Sequence, residues 1–355
     1  MNGGLGGWKK KAAKSALWGG FAISALGVAS FSFERTFSEV AGAREAASTA
    51  ANVEASDSVA SAPSERLLRE AIVRLEGLRS LSADLEFEAR FFGERYFGRG
   101  RYEETSEAAS GSAARRSALE NVRFRARASI ARGSAKEVRD DGEENVQEIV
   151  CDCDRQALWR YSSLEGAKSL TRIDVAELSN GLASLSAEEL AAVGVEGPCG
   201  MNGLPGLGGL AGTLRRLSAV YRFEPRIERA SAFKGTEVVK ITGRAREAFW
   251  KTSKQRLGVD KLEPYLNENL PGNVEIYLGA DWPFPYKIVY FSLAENEEKT
   301  RNDVFTVEYS SVVRNDATIR PEDFNYNQPQ ITFERVTSKY VESLISDAKR
   351  VGETR

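Results

Sequence analysis

A chain of 355 residues with 42% apolar side chains is long enough for one large or two ordinary domains, so size leaves the class open. Its 49 basic and 51 acidic side chains nearly cancel, which argues against a surface built to neutralise a phosphate backbone, and no nucleic acid is expected as a partner. Histidine is absent, which removes the usual general base of serine and cysteine hydrolases and the commonest metal ligand, while carboxylate or Lys chemistry stays open; no metal or other cofactor is expected.

Ser15 to Phe33 is an uncharged stretch of 19 residues, preceded by Lys9, Lys10, Lys11 and Lys14 and followed by Glu34, Arg35 and Glu39. As a helix it would cover about 28 Å, close to the hydrocarbon thickness of a bilayer. The lysines lie upstream, so the positive-inside bias keeps the N-terminus cytoplasmic and exports the chain beyond Phe33. Val28-Ala29-Ser30 is a mediocre cleavage site and Ala41-Gly42-Ala43 lies too far along. Residues 1–33 are therefore expected to be a basic stub and an uncleaved signal anchor in the inner membrane, with a cleaved signal peptide and a secreted periplasmic domain as the alternative. Residues 34–62 are rich in Ala, Ser and Glu with almost no large apolar side chain, which predicts a disordered tether.

A domain is expected over 63–350, followed by a short tail, 351–355. Ser64 is a candidate N-cap for a helix over 64–80, with Leu67, Leu68, Ala71, Ile72, Leu75 and Leu78 on one face. From Ser82 the period changes: Ala83, Leu85, Phe87, Ala89 and Phe91 alternate with Asp84, Glu86, Glu88 and Arg90, the pattern of a strand with one wet face. Val122 to Ile130 alternates likewise, with Arg123, Arg125 and Arg127 on the polar face, where ion pairs with Glu86 and Glu88 are expected. Later alternation lies around Val239, Val274 to Leu278 and Phe305 to Tyr309. Shorter candidates are Tyr96–Tyr102, Gln147–Cys151, Ala157–Tyr161, Ala219–Phe223, Ile227–Ala232 and Pro285–Phe291. Further helices are expected over Thr213–Leu217, Glu247–Leu262 and Thr337–Arg350. This reads as a mainly β domain with some helix (α+β), its sheet antiparallel and of about ten strands.

Three cysteines, Cys151, Cys153 and Cys199, are too few for a disulfide scaffold. In an exported chain one disulfide and one spare thiol are expected; Cys153 and Cys199 are the candidates, and the pairing stays open. Gly206-Leu-Gly208-Gly-Leu-Ala211 fits the loose dinucleotide pattern but lacks the strand that the pattern needs in front of it. The glycines suit an apolar, movable loop over a sheet, a candidate lid. Asp281 and Asp303 are the carboxylates to test for an enzymatic reading.

Several segments, in this order, resemble the LolA-like and LppX-like envelope proteins, closest to a membrane-anchored bacterial branch. They are Leu78–Phe87, Gly98–Tyr102, Val150–Tyr161, Leu170–Val175, Gly203–Leu217, Leu270–Gly279, Asp281–Ile288, Ile319–Tyr326 and the closing helix at Thr337. Arg155 stands where that branch has a turn glycine. The resemblance implies a half-open antiparallel barrel of about ten to eleven strands covered by helices, with no catalytic residues. It also implies an apolar cavity for lipid or lipoprotein acyl chains, for which the candidates are Leu85, Phe87, Phe91, Phe124, Leu158, Leu207, Leu210, Leu214, Tyr221 and Phe223. In the family's carriers an early-strand arginine holds the lid shut; Arg101 and Arg125 are the candidates. Domains of this kind also occur in envelope-stress regulators, so a sensing module with an envelope protein partner is the second expectation.

Overall fold

The computed structural model describes residues 62–91, 94–106, 122–138, 145–152, 157–164, 166–185, 208–247, 271–293, 301–326, 331–339, 341–342 and 345–346. Ser15–Phe33, the tether up to residue 61, Cys153, Cys199 and, past Glu247, the helix expected over Glu247–Leu262 lie outside them. Among the described residues no helix is long and apolar enough to cross a membrane.

The chain enters the domain through helix α1 (Pro63–Glu76), which buries Leu68, Ala71, Ile72 and Leu75. Ser64 is not its N-cap: the helix begins one residue earlier, with Ala62 as the cap and Pro63, whose φ is preset for a first turn, inside it. It ends at Glu76, short of the expected 80, where Gly77 caps it and Ser80 starts the first strand.

Thirteen strands then form one open sheet among the described residues, in the order β13-β6-β5-β4-β3-β2-β1-β12-β11-β10-β9-β7, with β8 beside β9. The first meander comprises β1 (Ser80–Phe91), β2 (Glu94–Ser106), β3 (Val122–Arg132), β4 (Val146–Asp152), β5 (Ala157–Leu164) and β6 (Ala167–Asp174). Two helices come next, α2 (Val175–Leu182) and α3 (Gly209–Val220). The second meander comprises β7 (Tyr221–Phe223), β8 (Glu228–Arg229), β9 (Val238–Ala245), β10 (Asn273–Gly279), β11 (Pro285–Leu293) and β12 (Arg301–Arg314), and it returns antiparallel to β1. The half-open antiparallel sheet expected from the sequence is the one found. The strand count rises to 13 with β6 and a two-residue β13, neither of which was among the strands expected from alternation. The strand expected at Ala219 starts only at Tyr221, because Leu214, Leu217 and Val220 continue the buried face of α3. That expected over Ile227–Ala232 shrinks to Glu228–Arg229, the residues that reach β9.

Side chains two apart share a face, so the sheet has an inner surface, under α1 and α3, and an outer one. The inner core joins Leu85 and Phe87 of β1 with Phe124 of β3, Leu158 of β5, Ile276 of β10 and Val307 of β12. The expected partners of the β3 arginines are corrected by topology. Strand β2 lies between β1 and β3, so Glu86 pairs with Arg99 at 3.2 Å and Glu88 with Arg95 at 2.6 Å, while Arg125 pairs with Glu148 of β4 at 3.1 Å.

After β12 the chain crosses the outer surface of β4–β6. A 3-10 turn at Pro321–Phe324 places Phe324 and Tyr326 in a second apolar cluster with Val150, Ala157, Trp159 and Leu170. Tyr326 stacks on Trp159 at 5.5 Å and Arg172 lies over the same indole at 5.3 Å. The arm then rounds the sheet edge as β13 (Glu334–Arg335), parallel to β6, with Val336 N–H donating to Arg172 O at 3.1 Å. Thr337 is fully buried, its hydroxyl accepting from Asp174 N–H at 2.9 Å, and Val341 enters the inner core. The described residues from Thr337 onward are helical, as expected.

Candidate functional site

The inner surface beneath α1 and α3 is the part of the molecule suited to an apolar ligand. Its floor is an aromatic run that starts in the β10–β11 turn and continues along the strands. Trp282 stacks on Phe284 at 5.2 Å, Phe284 meets Tyr309 edge-on at 6.0 Å, and Tyr309 meets Tyr102 edge-on at 5.8 Å. Tyr102 in turn stacks on Phe124 at 6.3 Å. A second group joins Phe87, Phe305 and Tyr290 at 5.9–6.0 Å. Gly98 of β2 makes room for it: a Cβ there would come within 2.0 Å of the Phe87 ring, so the ring occupies the space that a side chain at 98 would fill.

The roof is α3, which turns Leu210, Ala211, Leu214, Leu217 and Val220 inward. Arg215 ties it to α1 through Glu76, at 2.5 and 2.8 Å. Gly208 (φ 85) and Gly209 (φ 60) start the helix in the left-handed region that glycine tolerates, and no side chain of its own caps it. The cap comes from β2 instead. Glu104 Oε2 accepts from Leu210 N–H at 3.0 Å and from the Tyr102 hydroxyl. This carboxyl stands on the inner face, opposite Leu81 of β1 and Phe124 of β3, and burial pushes its pKa up to about 7 although both hydrogen bonds pull it down. Burial, and then the Glu104 charge, hold the Tyr102 phenol well above its ordinary range. Burial likewise raises Tyr221, Tyr290 and Tyr309.

Of the residues singled out in the sequence, Leu85, Phe87, Phe124, Leu158, Leu210, Leu214, Tyr221 and Phe223 all lie in the one inner core, none more than 6% exposed. Leu207 and the side chain of Phe91 lie outside the described residues. The two lid-contact arginines are a correction. Arg101 and Arg125 are out of phase with Tyr102 and Phe124, so they emerge on the outer face, Arg101 pairing with Glu103 at 2.9 Å and Arg125 with Glu148. Neither reaches α3; the side chain from an early strand that meets this helix is the acidic Glu104. Its signal was present in phase, since Gly98, Gly100, Tyr102 and Glu104 share a face, but the strand read from the sequence stops at Tyr102. Cys151 is buried in the same core.

No protein-family model matches the chain, and no curated protein matches it in sequence. Among solved structures it is similar to a DUF1329 family protein from Desulfovibrio piger, at 8% identity over 75% of this chain and 98% of that one, with a TM-score of 0.32. It is similar also to a putative outer membrane lipoprotein-sorting protein domain from Vibrio parahaemolyticus, at 12% identity over 73% and 95% with a TM-score of 0.27. A third is the lipoprotein LppX from Mycobacterium tuberculosis, at 11% identity over 71% and 96% with a TM-score of 0.25. At identities of 8–12% and TM-scores of 0.25–0.32 the likeness carries no argument about family, role or ligand.

Proposed function

We propose that the chain is an exported, membrane-tethered, non-catalytic binding protein whose helix-covered inner sheet surface receives lipid or lipoprotein acyl chains. The observation that carries the reading is a ring-lined apolar floor roofed by a helix whose start rests on two glycines and a borrowed cap. An acyl chain asks for apolar surface that can yield, with few fixed polar groups. Leu210 and Leu214 now pack on the sheet, so a ligand enters by displacing α3 and replacing those contacts. Each methylene taken from water contributes about 0.8 kcal/mol, so a chain of ten or so carbons is ample to offset the loss of two buried leucines. Tethering is inferred from Ser15–Phe33 alone.

Native mass spectrometry of the full-length protein, released from membranes in mild detergent, tests this. A stoichiometric acyl species is expected, together with saturable binding of a fluorescent fatty acid that Leu214→Glu weakens at least tenfold. A protein that stays empty and excludes apolar dyes would refute the reading. Recovery of one stoichiometric membrane protein without lipid would move it to the sensing module.

A further inference from the structure

We propose that Glu104 makes the seat of α3 responsive to protons: with the carboxyl protonated the first turn of the helix stays docked on β2, and loss of the proton frees that turn and uncovers the inner surface. The contact is close and specific. Glu104 Oε2 takes the Leu210 N–H at 3.0 Å, and a Cβ on Gly209 would lie 2.1 Å from the same oxygen. Only glycine, at the positive φ found there, lets the helix start come down onto the carboxyl.

The groups facing Glu104 leave burial as the deciding influence. From its own strand comes the Tyr102 hydroxyl and from β12 Tyr309, both phenols kept neutral by burial. Its registered neighbours on β1 and β3 are the uncharged Leu81 and Phe124. Helix α3 carries two cations, but Arg215 is engaged with Glu76 and Arg216 acts on Tyr221 and Tyr290. Burial therefore outweighs the two donors and raises the docked carboxyl to about 7, whereas a solvated one titrates near 4.5. Docking is accordingly firmest below about 4.5, weakens as pH rises towards 7 because opening then releases a proton, and is constant above. One proton limits the change in the opening equilibrium to about tenfold per pH unit.

The proposal rests on the lipid reading only for what enters the uncovered surface; docking itself is measured without ligand. Amide hydrogen exchange of Leu210 to Thr213 in the full chain, corrected for intrinsic rates and referred to β1 and β12, should show opening that rises up to tenfold per pH unit between 4.5 and 7. Glu104→Gln should flatten that rise. A wild-type profile without pH dependence, or the same slope in the variant, overturns the proposal. Should the variant not fold, carboxyl 13C titration of the unaltered protein decides: a Glu104 midpoint near 4.5, or α3 amides that do not follow it, is equally fatal. An empty protein whose seat still responds to pH would sink the lipid reading and leave this one standing.

Discussion

The outer surface of the sheet is built in two different ways on its two halves. Across β8 to β12, β1 and β2 it is wet and laced with charge. Lys234 reaches Glu86 at 2.8 Å, Lys287 reaches Glu308 at 2.9 Å, and Lys240 joins Glu228 and Glu275 at 3.0 and 3.2 Å. Across β4 to β6 the same surface is roofed by the C-terminal arm, with Phe324 and Tyr326 laid on Trp159 and Leu170. The first half draws its stability from the inner core, and its outer side chains chiefly keep the strands soluble and in register. The second half is clasped from both sides, so its stability depends on a segment of chain distant in sequence.

The largest expected effect breaks the clasp. Phe324→Ala removes a ring with no exposure and should cost about 3–5 kcal/mol in denaturant unfolding, with a change in Trp159 fluorescence. If the loss is under about 1 kcal/mol, the arm is decoration and the contrast fails. Glu275→Gln probes the most buried part of the charged half, where the carboxylate accepts from Lys240 at 3.2 Å, Arg301 at 3.0 Å and the Tyr277 hydroxyl at 3.1 Å. A loss of about 1–3 kcal/mol is expected. Burial pulls this carboxyl up, but Arg301 and Lys240 more than offset it and hold the pKa below the ordinary 4.5. Its contribution is therefore present above about 4.5 and is lost as pH falls further, so the acid limb of the unfolding curve should flatten in the variant. Lys234→Ala, at an exposed pair, should change stability by about 0–1 kcal/mol, an effect that shrinks in high salt.

The same contrast explains what could be read from the sequence. Strands β1 and β3 were legible because one face is charged: Leu85 and Phe87 stand between Glu86 and Glu88, and Phe124 between Arg123 and Arg125. Strand β6 gives no clean alternation, since its outer face mixes Lys168, Leu170 and Arg172; only the family-like segment Leu170–Val175 pointed to it. The arm has no periodicity at all, because Phe324 and Tyr326 pack through their rings rather than through a ladder. At the candidate site Tyr102, Trp282, Phe284, Tyr290, Phe305 and Tyr309 of the floor were not singled out for the cavity, although Phe87 and Phe124 were legible. The borrowed cap was not, because an arginine was sought where an acid stands and because a cap supplied from another strand leaves no mark near the helix it serves.

The joining of β1 to β12 has a consequence for the birth of the protein. Ser80 to Phe91 sits in the middle of the finished sheet, yet one of its two neighbours is among the last strands made: Arg79 N–H donates to Asn315 Oδ1 across 236 residues. Until Arg301 to Arg314 has emerged into the compartment where the domain folds, β1 is a bare edge 12 residues long, of the kind that recruits strands from other chains. A nascent or truncated chain ending before residue 301 should therefore be the adhesive species, and the time it spends in that state, rather than the strength of the finished fold, would govern the yield of intact protein.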